Sequence, residues 1–151
     1  IPRFEGGPVL LARLCPLDYH RYHYPDRGTT AAAWRIPGPL HSVNPIALAA
    51  RGDILCRNER RVAILETERF GTLAYVEVGA MGVGRIEQTH PEGRPFEAGD
   101  EKGLFRFGAS TVLVFGEAGR WTPDDDVLER TAAGEECLVR LGEGVARRTP
   151  D

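Results

Sequence analysis

Eighteen glycines and eleven prolines cut this 151-residue chain into short runs. Inside those runs the apolar residues follow the two-residue period of a half-buried strand more often than the 3.6-residue period of a helix. Strands are expected over 8–14, 61–67, 72–80, 83–89, 103–107, 110–115 and 136–142, with the clearest alternation in Leu73-Ala74-Tyr75-Val76-Glu77-Val78. Many short strands separated by turns argue for a barrel or a sandwich. Two short helices are expected as well. One covers 44–52, with Pro45 in its first turn and Gly52 as its stop. The other covers 122–134, with Thr122 as N-cap, Pro123 at the first helical position and acidic residues against the helix dipole. The expected fold is mainly β with one or two short helices. It forms one domain over residues 1–151, because the length suits a single core and neither a repeat nor a linker interrupts it.

Composition narrows the partners. A net charge of −3 offers no general attraction to nucleic acid or to an anionic membrane. No apolar run reaches the roughly 20 residues of a membrane-spanning helix. Cys15, Cys56 and Cys137 are widely spaced and odd in number, which disfavours a zinc knuckle or a disulfide framework and suits a reducing compartment. The chain opens on Ile1 without methionine or a basic leader, so a natural N-terminus further upstream is expected.

Two segments carry the chemistry. In "PLDYHRYH" (16–23), His20 and His23 lie three residues apart beside Asp18 and two tyrosines. Read locally, they form either a pair of acid–base imidazoles or a polar aromatic turn whose histidines cap hydrogen bonds; two local ligands are too few for a metal. In "LFRFGASTVLVF" (104–115), two β-type halves flank Gly108-Ala109-Ser110-Thr111. Ser110 is there either a nucleophile that attacks the carbonyl just before it, a geometry that small preceding residues permit, or an ordinary strand serine beside a glycine bulge. "VGAMGVGRI" (78–86) lacks the spacing of a dinucleotide fingerprint. Asp124–Asp126 lack that of a calcium loop, and His41 and His90 sit beside turn signals.

The order of the segments adds to their individual weight. "RLCPLDYHRYHYPDRG", "GPLHSVNPIAL", "ILCRNERRVAIL", "FGTLAYVEVGAMGVGRIE", "AGDEKGLFRFGASTVLVF" and "GEECLVRLGEGVA" together resemble the phosphatidylserine decarboxylase family. The similarity runs from about residue 3 to residue 146, and its most specific blocks are DYHRYH and DEKGLFRFGAST. The resemblance implies a barrel-sandwich hybrid-like β domain. It also implies a zymogen that cleaves itself between Ala109 and Ser110, into a β chain 1–109 and an α chain 110–151 whose first residue becomes a pyruvoyl group. The implied activity is that of a carboxy-lyase of phospholipid biosynthesis, converting phosphatidylserine to phosphatidylethanolamine and CO2. The pyruvoyl cofactor derives from Ser110 and accepts the electrons that CO2 leaves on Cα, which no ordinary side chain can delocalise.

By the same resemblance, His20 is the acid that reprotonates Cα and His23 the base that activates Ser110. Asn44 in the Val-Asn-Pro turn and Gly79 and Ala80 of the Val-Gly-Ala element are candidates for lining the substrate pocket, and no metal is implied. The implied partners are a phospholipid and a membrane surface, met peripherally from the cytoplasmic side, with a homodimer of αβ units as the candidate assembly. Two departures from the family pattern stand out. Ala109 replaces the usual glycine, and the aspartate that orients the base would lie before Ile1. They leave room for a catalytically inactive hybrid-barrel relative. The same chemistry on a soluble amino acid, in the cytoplasm, is the other alternative. A biotinyl or lipoyl carrier is disfavoured, because the chain's one lysine, Lys102, lies in "GDEKGLF" and Met81 in "GAMGVG" has no lysine beside it.

Overall fold

The structure is a computed structural model and describes residues 2–81, 85–106 and 110–150. Its strands are β1 (Val9–Leu14), β2 (Arg21–His23), β3 (Gly28–Ile36), β4 (Arg60–Thr67), β5 (Gly71–Val78), β6 (Arg85–Gln88), β7 (Glu101–Arg106), β8 (Ser110–Gly116), β9 (Trp121–Pro123) and β10 (Ala146–Arg148). The helices are α1 (Pro45–Ala50), α2 (Ile54–Arg57) and α3 (Asp125–Ala132). All pairings are antiparallel. β1-β8-β5-β4-β3 form a five-stranded sheet, β2-β7-β6 a three-stranded one and β9-β10 a ribbon.

β5 shows why the sequence builds this layering. Its alternate residues Leu73 and Tyr75 enter the main core with Leu65 of β4, Val112 of β8, Tyr22 of β2 and Phe105 of β7. That cluster therefore lies between the two larger sheets. The opposite face of β5, Val76 and Val78, packs with Val62, Leu113 and Phe115 along the outside of the five-stranded sheet. A central strand apolar on both faces is covered on both faces, and the single charged residue inside it, Glu77, is fully buried. Close approach also selects residue type: a Cβ on Gly103 of β7 would lie 2.2 Å from the Glu87 carbonyl and 2.4 Å from the Tyr22 hydroxyl, so only glycine lets β2 and β6 flank β7 here.

Six of the seven expected strands form, within a residue or two of their expected ends; Val83, Gly84, Phe107 and Ala109 lie outside the described residues. The seventh does not. Residues 136–142 are irregular, with Leu138 and Leu141 exposed, and β10 pairs with β9 instead. Two strands appear that alternation does not signal: the three-residue β2, and β3, whose run of threonine and alanine is mostly exposed at the sheet edge. The expected cap at Thr122 is also corrected. Trp121–Pro123 pair with β10, so α3 starts at Asp125 after Asp124, and Arg147 of β10 bonds both aspartates. α2 is a third helix, one turn long, beyond the expected pair. No helix among the described residues is long and apolar enough to cross a membrane.

Asp26 fixes the loop between β2 and β3 to the β4–β5 turn. Its carboxylate is buried and accepts from the Arg69 backbone N–H at 2.7 Å and from Arg69 Nε at 2.9 Å. Burial works to raise this carboxyl, but the Arg69 donors outweigh it and hold the group below its ordinary value of 3.8. The stability it contributes is therefore complete above that value and lost as pH falls through the folded-state value. Asp26→Asn should cost about 1–2 kcal/mol at pH 7, and urea denaturation should show the difference from wild type shrinking below about pH 4.

Candidate functional site

Ser110 opens β8, with its backbone opposite Leu14 of β1 and its neighbour Thr111 opposite Val78 of β5. Both Ser110 and Thr111 have no exposed surface, and neither hydroxyl has a hydrogen-bond partner among the described residues. A buried hydroxyl left unpaired costs free energy, and the two face opposite sides of the strand, Ser110 with Val112 toward the main core and Thr111 with Val78 toward the outer face. Ala109 lies outside the described residues.

His20 precedes β2 and lies beside the end of β7 nearest Ser110: its carbonyl accepts from the Phe105 N–H at 2.9 Å. Its Nδ1 is 2.7 Å from the Asp18 carbonyl, which can only accept. That contact places the ring proton on Nδ1 and leaves a lone pair on Nε2. Nε2 is buried and has no partner among the described residues. Asp18 itself closes the preceding turn, its carboxylate accepting from the Cys15 N–H at 2.6 Å.

His23 stands differently. It pairs with Glu101, four residues back along β7 from Phe105, which is roughly 13 Å at strand rise. Its Nδ1 donates to the Gly99 carbonyl at 2.8 Å, so Nε2 accepts from the Tyr19 hydroxyl at 3.0 Å, and the Tyr19 ring stacks on it. The structure thus brings His20 to the Ser110 end of β7 and His23 to the other end, with both His23 nitrogens engaged.

The pocket-lining candidates also separate. Asn44 is exposed, and its side-chain oxygen caps α1 by accepting from the Ala47 N–H at 2.7 Å. Gly79 lies one step beyond the Val78–Thr111 pair, beside Ser110. Its N–H donates to the Glu59 carbonyl at 2.9 Å. Ala80 is fully buried and packs with Val43 and Ile54.

Two features were missed in the sequence. Asn58, in "RNER", is fully buried; its Oδ1 accepts from the His41 N–H at 3.0 Å, and its Nδ2 donates to the His41 and Gly79 carbonyls, each at 2.8 Å. It joins the 41-region loop to the Gly79 turn next to Ser110. The second is an ion pair: Lys102 Nζ lies 2.5 Å from Glu77 Oε1 and 2.7 Å from the Gln88 side-chain oxygen. The β2–β7 register steps from Tyr22–Gly103 to His23–Glu101, so Lys102 is the extra residue of a bulge, and its side chain is buried. Its ammonium lies 5.3 Å from the Tyr75 ring centroid and 5.9 Å from those of Tyr22 and Tyr24. Burial pushes the Glu77 carboxyl upward, and Lys102 pulls against it; burial also pushes the Tyr22 and Tyr75 hydroxyls up. A charged residue inside an apolar strand and a solitary lysine were the available signals.

Comparison with known proteins agrees with the resemblance. The family model "Phosphatidylserine decarboxylase" matches residues 1–147. The chain is 43% identical over 146 residues to the phosphatidylserine decarboxylase proenzyme of Clostridium botulinum, covering 97% of this chain and 49% of that protein. It is 45% identical over 143 residues to the proenzyme of Clostridium kluyveri (95% and 48%) and 42% identical over 146 residues to that of Desulfitobacterium hafniense strain Y51 (97% and 49%). The chain belongs to the phosphatidylserine decarboxylase family, and it spans about half the length of these relatives.

The Glu77–Lys102 pair yields a prediction. Lys102→Met alone should destabilise the protein by about 3–5 kcal/mol, because it strands a buried carboxylate. Adding Glu77→Gln should recover a large part of that loss in denaturant titrations; strictly additive losses would contradict the coupling.

Proposed function

We propose that this domain is the catalytic unit of a pyruvoyl-dependent decarboxylase that converts phosphatidylserine to phosphatidylethanolamine and CO2, and that it matures by self-cleavage between Ala109 and Ser110. The observation that carries the proposal is the Ser110 hydroxyl, fully buried at the start of β8 and unpartnered among the described residues. The relatives' name, proenzyme, supports maturation by cleavage.

In this reading the Ser110 hydroxyl attacks the Ala109 carbonyl carbon and the Ala109–Ser110 amide shifts to an ester. Loss of the Ser110 Cα proton then breaks the Oγ–Cβ bond. The ester leaves as the new Ala109 carboxylate, and residue 110 becomes an enamine. Water releases its nitrogen as ammonia and leaves a carbonyl. The sheets suit this cut: β7 is held by β2 and β6, and β8 by β1 and β5, so both new ends stay anchored after the bond is gone. When formed, the pyruvoyl group supplies an electron-withdrawing carbonyl against the substrate's Cα.

His20, with its buried Nε2, is the acid that reprotonates Cα after CO2 departs; for that step the ring is the imidazolium, which delivers the Nε2 proton while Nδ1–H stays on the Asp18 carbonyl. His23 takes its assignment as base in the cleavage from the family resemblance; its Nε2 holds the Tyr19 hydroxyl. With a lipid as substrate, the proposed working place is the surface of a bilayer.

Full-length protein should run as two fragments under denaturing conditions. Intact mass spectrometry should find the C-terminal fragment lighter by one ammonia than a peptide beginning with Ser110. A single uncut mass would overturn the reading. His20→Ala should leave the two fragments and abolish CO2 release from phosphatidylserine; loss of cleavage instead would mean that the two histidines have exchanged roles.

A further inference from the structure

A cleft of about 330 Å³ opens between the edge of the five-stranded sheet and β6, lined by Arg35, Glu59, Arg61, Arg85 and Ile86. Its charge is lopsided: three guanidinium groups face one carboxylate, and that carboxylate is already held by Arg35 through two hydrogen bonds of 2.8 and 3.0 Å. The Arg61 and Arg85 side chains make no hydrogen bond among the described residues. The nearest carboxylate to Arg61 is Glu92, 3.8 Å away and 93% exposed. The nearest to Arg85 is Glu87 at 3.7 Å, which bonds Arg106 at 2.7 Å. Arg61 Nε is moreover buried without a partner. One buried guanidinium N–H left open, with the more exposed Arg85 and Arg35 beside it, suits an acceptor with several oxygens.

The cleft adjoins the serine. Its wall residue Glu59 accepts the Gly79 N–H at 2.9 Å, and a Cβ placed on Gly79 would lie 3.8 Å from the Cδ1 of its other wall residue, Ile86. Gly79 in turn lies beside Ser110, one step past the last register pair of β5 and β8. Gly79 therefore joins two wall residues of the cleft, Glu59 and Ile86, to the strand position beside the proposed reacting residue. In a serine headgroup, the phosphodiester is separated from Cα only by the serine Cβ and one ester oxygen, so a group that binds the phosphate must lie near the reacting residue, and the long arginine side chains have to span the roughly 10 Å of two strand spacings.

We infer that Arg61 and Arg85, with Arg35 braced by Glu59, form a binding subsite for the phosphodiester of the headgroup, and so select a glycerophospholipid serine over the free amino acid. The inference rests on the decarboxylase reading for its substrate, but the cleft can be tested apart from it. Ser110→Ala in the full-length protein removes the reacting hydroxyl and leaves the arginines. Calorimetric titration of that protein should detect glycerophosphoserine binding, with free serine and inorganic phosphate each at least about tenfold weaker, since each lacks part of the pairing.

Arg85→Gln, at an exposed position that does not threaten folding, should weaken glycerophosphoserine binding about tenfold, as should Arg61→Gln. In protein with Ser110 intact, the same changes should raise KM for phosphatidylserine by a like factor without preventing cleavage. Unchanged glycerophosphoserine affinity in both arginine variants would overturn the inference. Equal binding of inorganic phosphate would overturn the headgroup assignment, and equal binding of free serine the selectivity. If wild-type protein fails to cleave while the arginine-dependent binding holds, the decarboxylase reading falls and the phosphodiester site stands.

Discussion

β8 has to be paired on both sides while its first side chain is not. β1 and β5 flank the strand and give Ser110 a fixed backbone, yet its hydroxyl, fully buried, makes no hydrogen bond among the described residues. Most folds would avoid that arrangement, because a buried hydroxyl is ordinarily satisfied. The surroundings here hold it in place. Gly79 runs alongside, Asn58 ties the Gly79 carbonyl to the 41-region loop, and the Glu77–Lys102 pair lies on the neighbouring register positions of the same two-sheet interior. Local strain or cost of this kind is sustained by rigid neighbours, and it is characteristic of sites that do chemistry.

Electrostatics divide the interior of the sandwich. One compartment holds the lysine, its carboxylate partner and three tyrosine rings, closed off from water. The other is the open arginine cleft at the edge of the same sheet. Arg61, directly opposite Glu77 in the β4–β5 register, stands between them. The Arg61 charge is felt on both sides: it helps Lys102 hold the buried Glu77 carboxyl down against burial, and it lines the cleft.

Much of this was legible in the chain. The six strands that formed are those where apolar residues alternate or bunch between turn residues, and β5 was the clearest because burial on both faces leaves Glu77 as its only charged residue. Ser110 and His20 were marked by the order of their motifs, and His20 lies beside Phe105 at the end of β7 that precedes Ser110 in the chain. What was not legible has physical reasons. β3 is an edge strand of small residues, held by its hydrogen bonds to β4 and not by an apolar face. Residues 136–142 carry strand-like residues but stay irregular, and β10 rather than this segment pairs with β9. Lys102 turns inward because of a one-residue bulge, which no local pattern announces. Asn44, a candidate for lining the pocket, is exposed and caps α1; Asn58, part of the NER block but given no role there, is buried and ties the 41-region loop to the Gly79 turn.

The central claim is that residue 110 ends as a carbonyl. Phenylhydrazine labelling of full-length protein, followed by peptide mass mapping, tests it most directly. The account predicts one hydrazone, located on the new N-terminus at position 110, and no label on the uncut Ser110→Ala protein. A wild-type chain that takes no label at position 110, or a Ser110→Ala chain that still cleaves and labels, would contradict it.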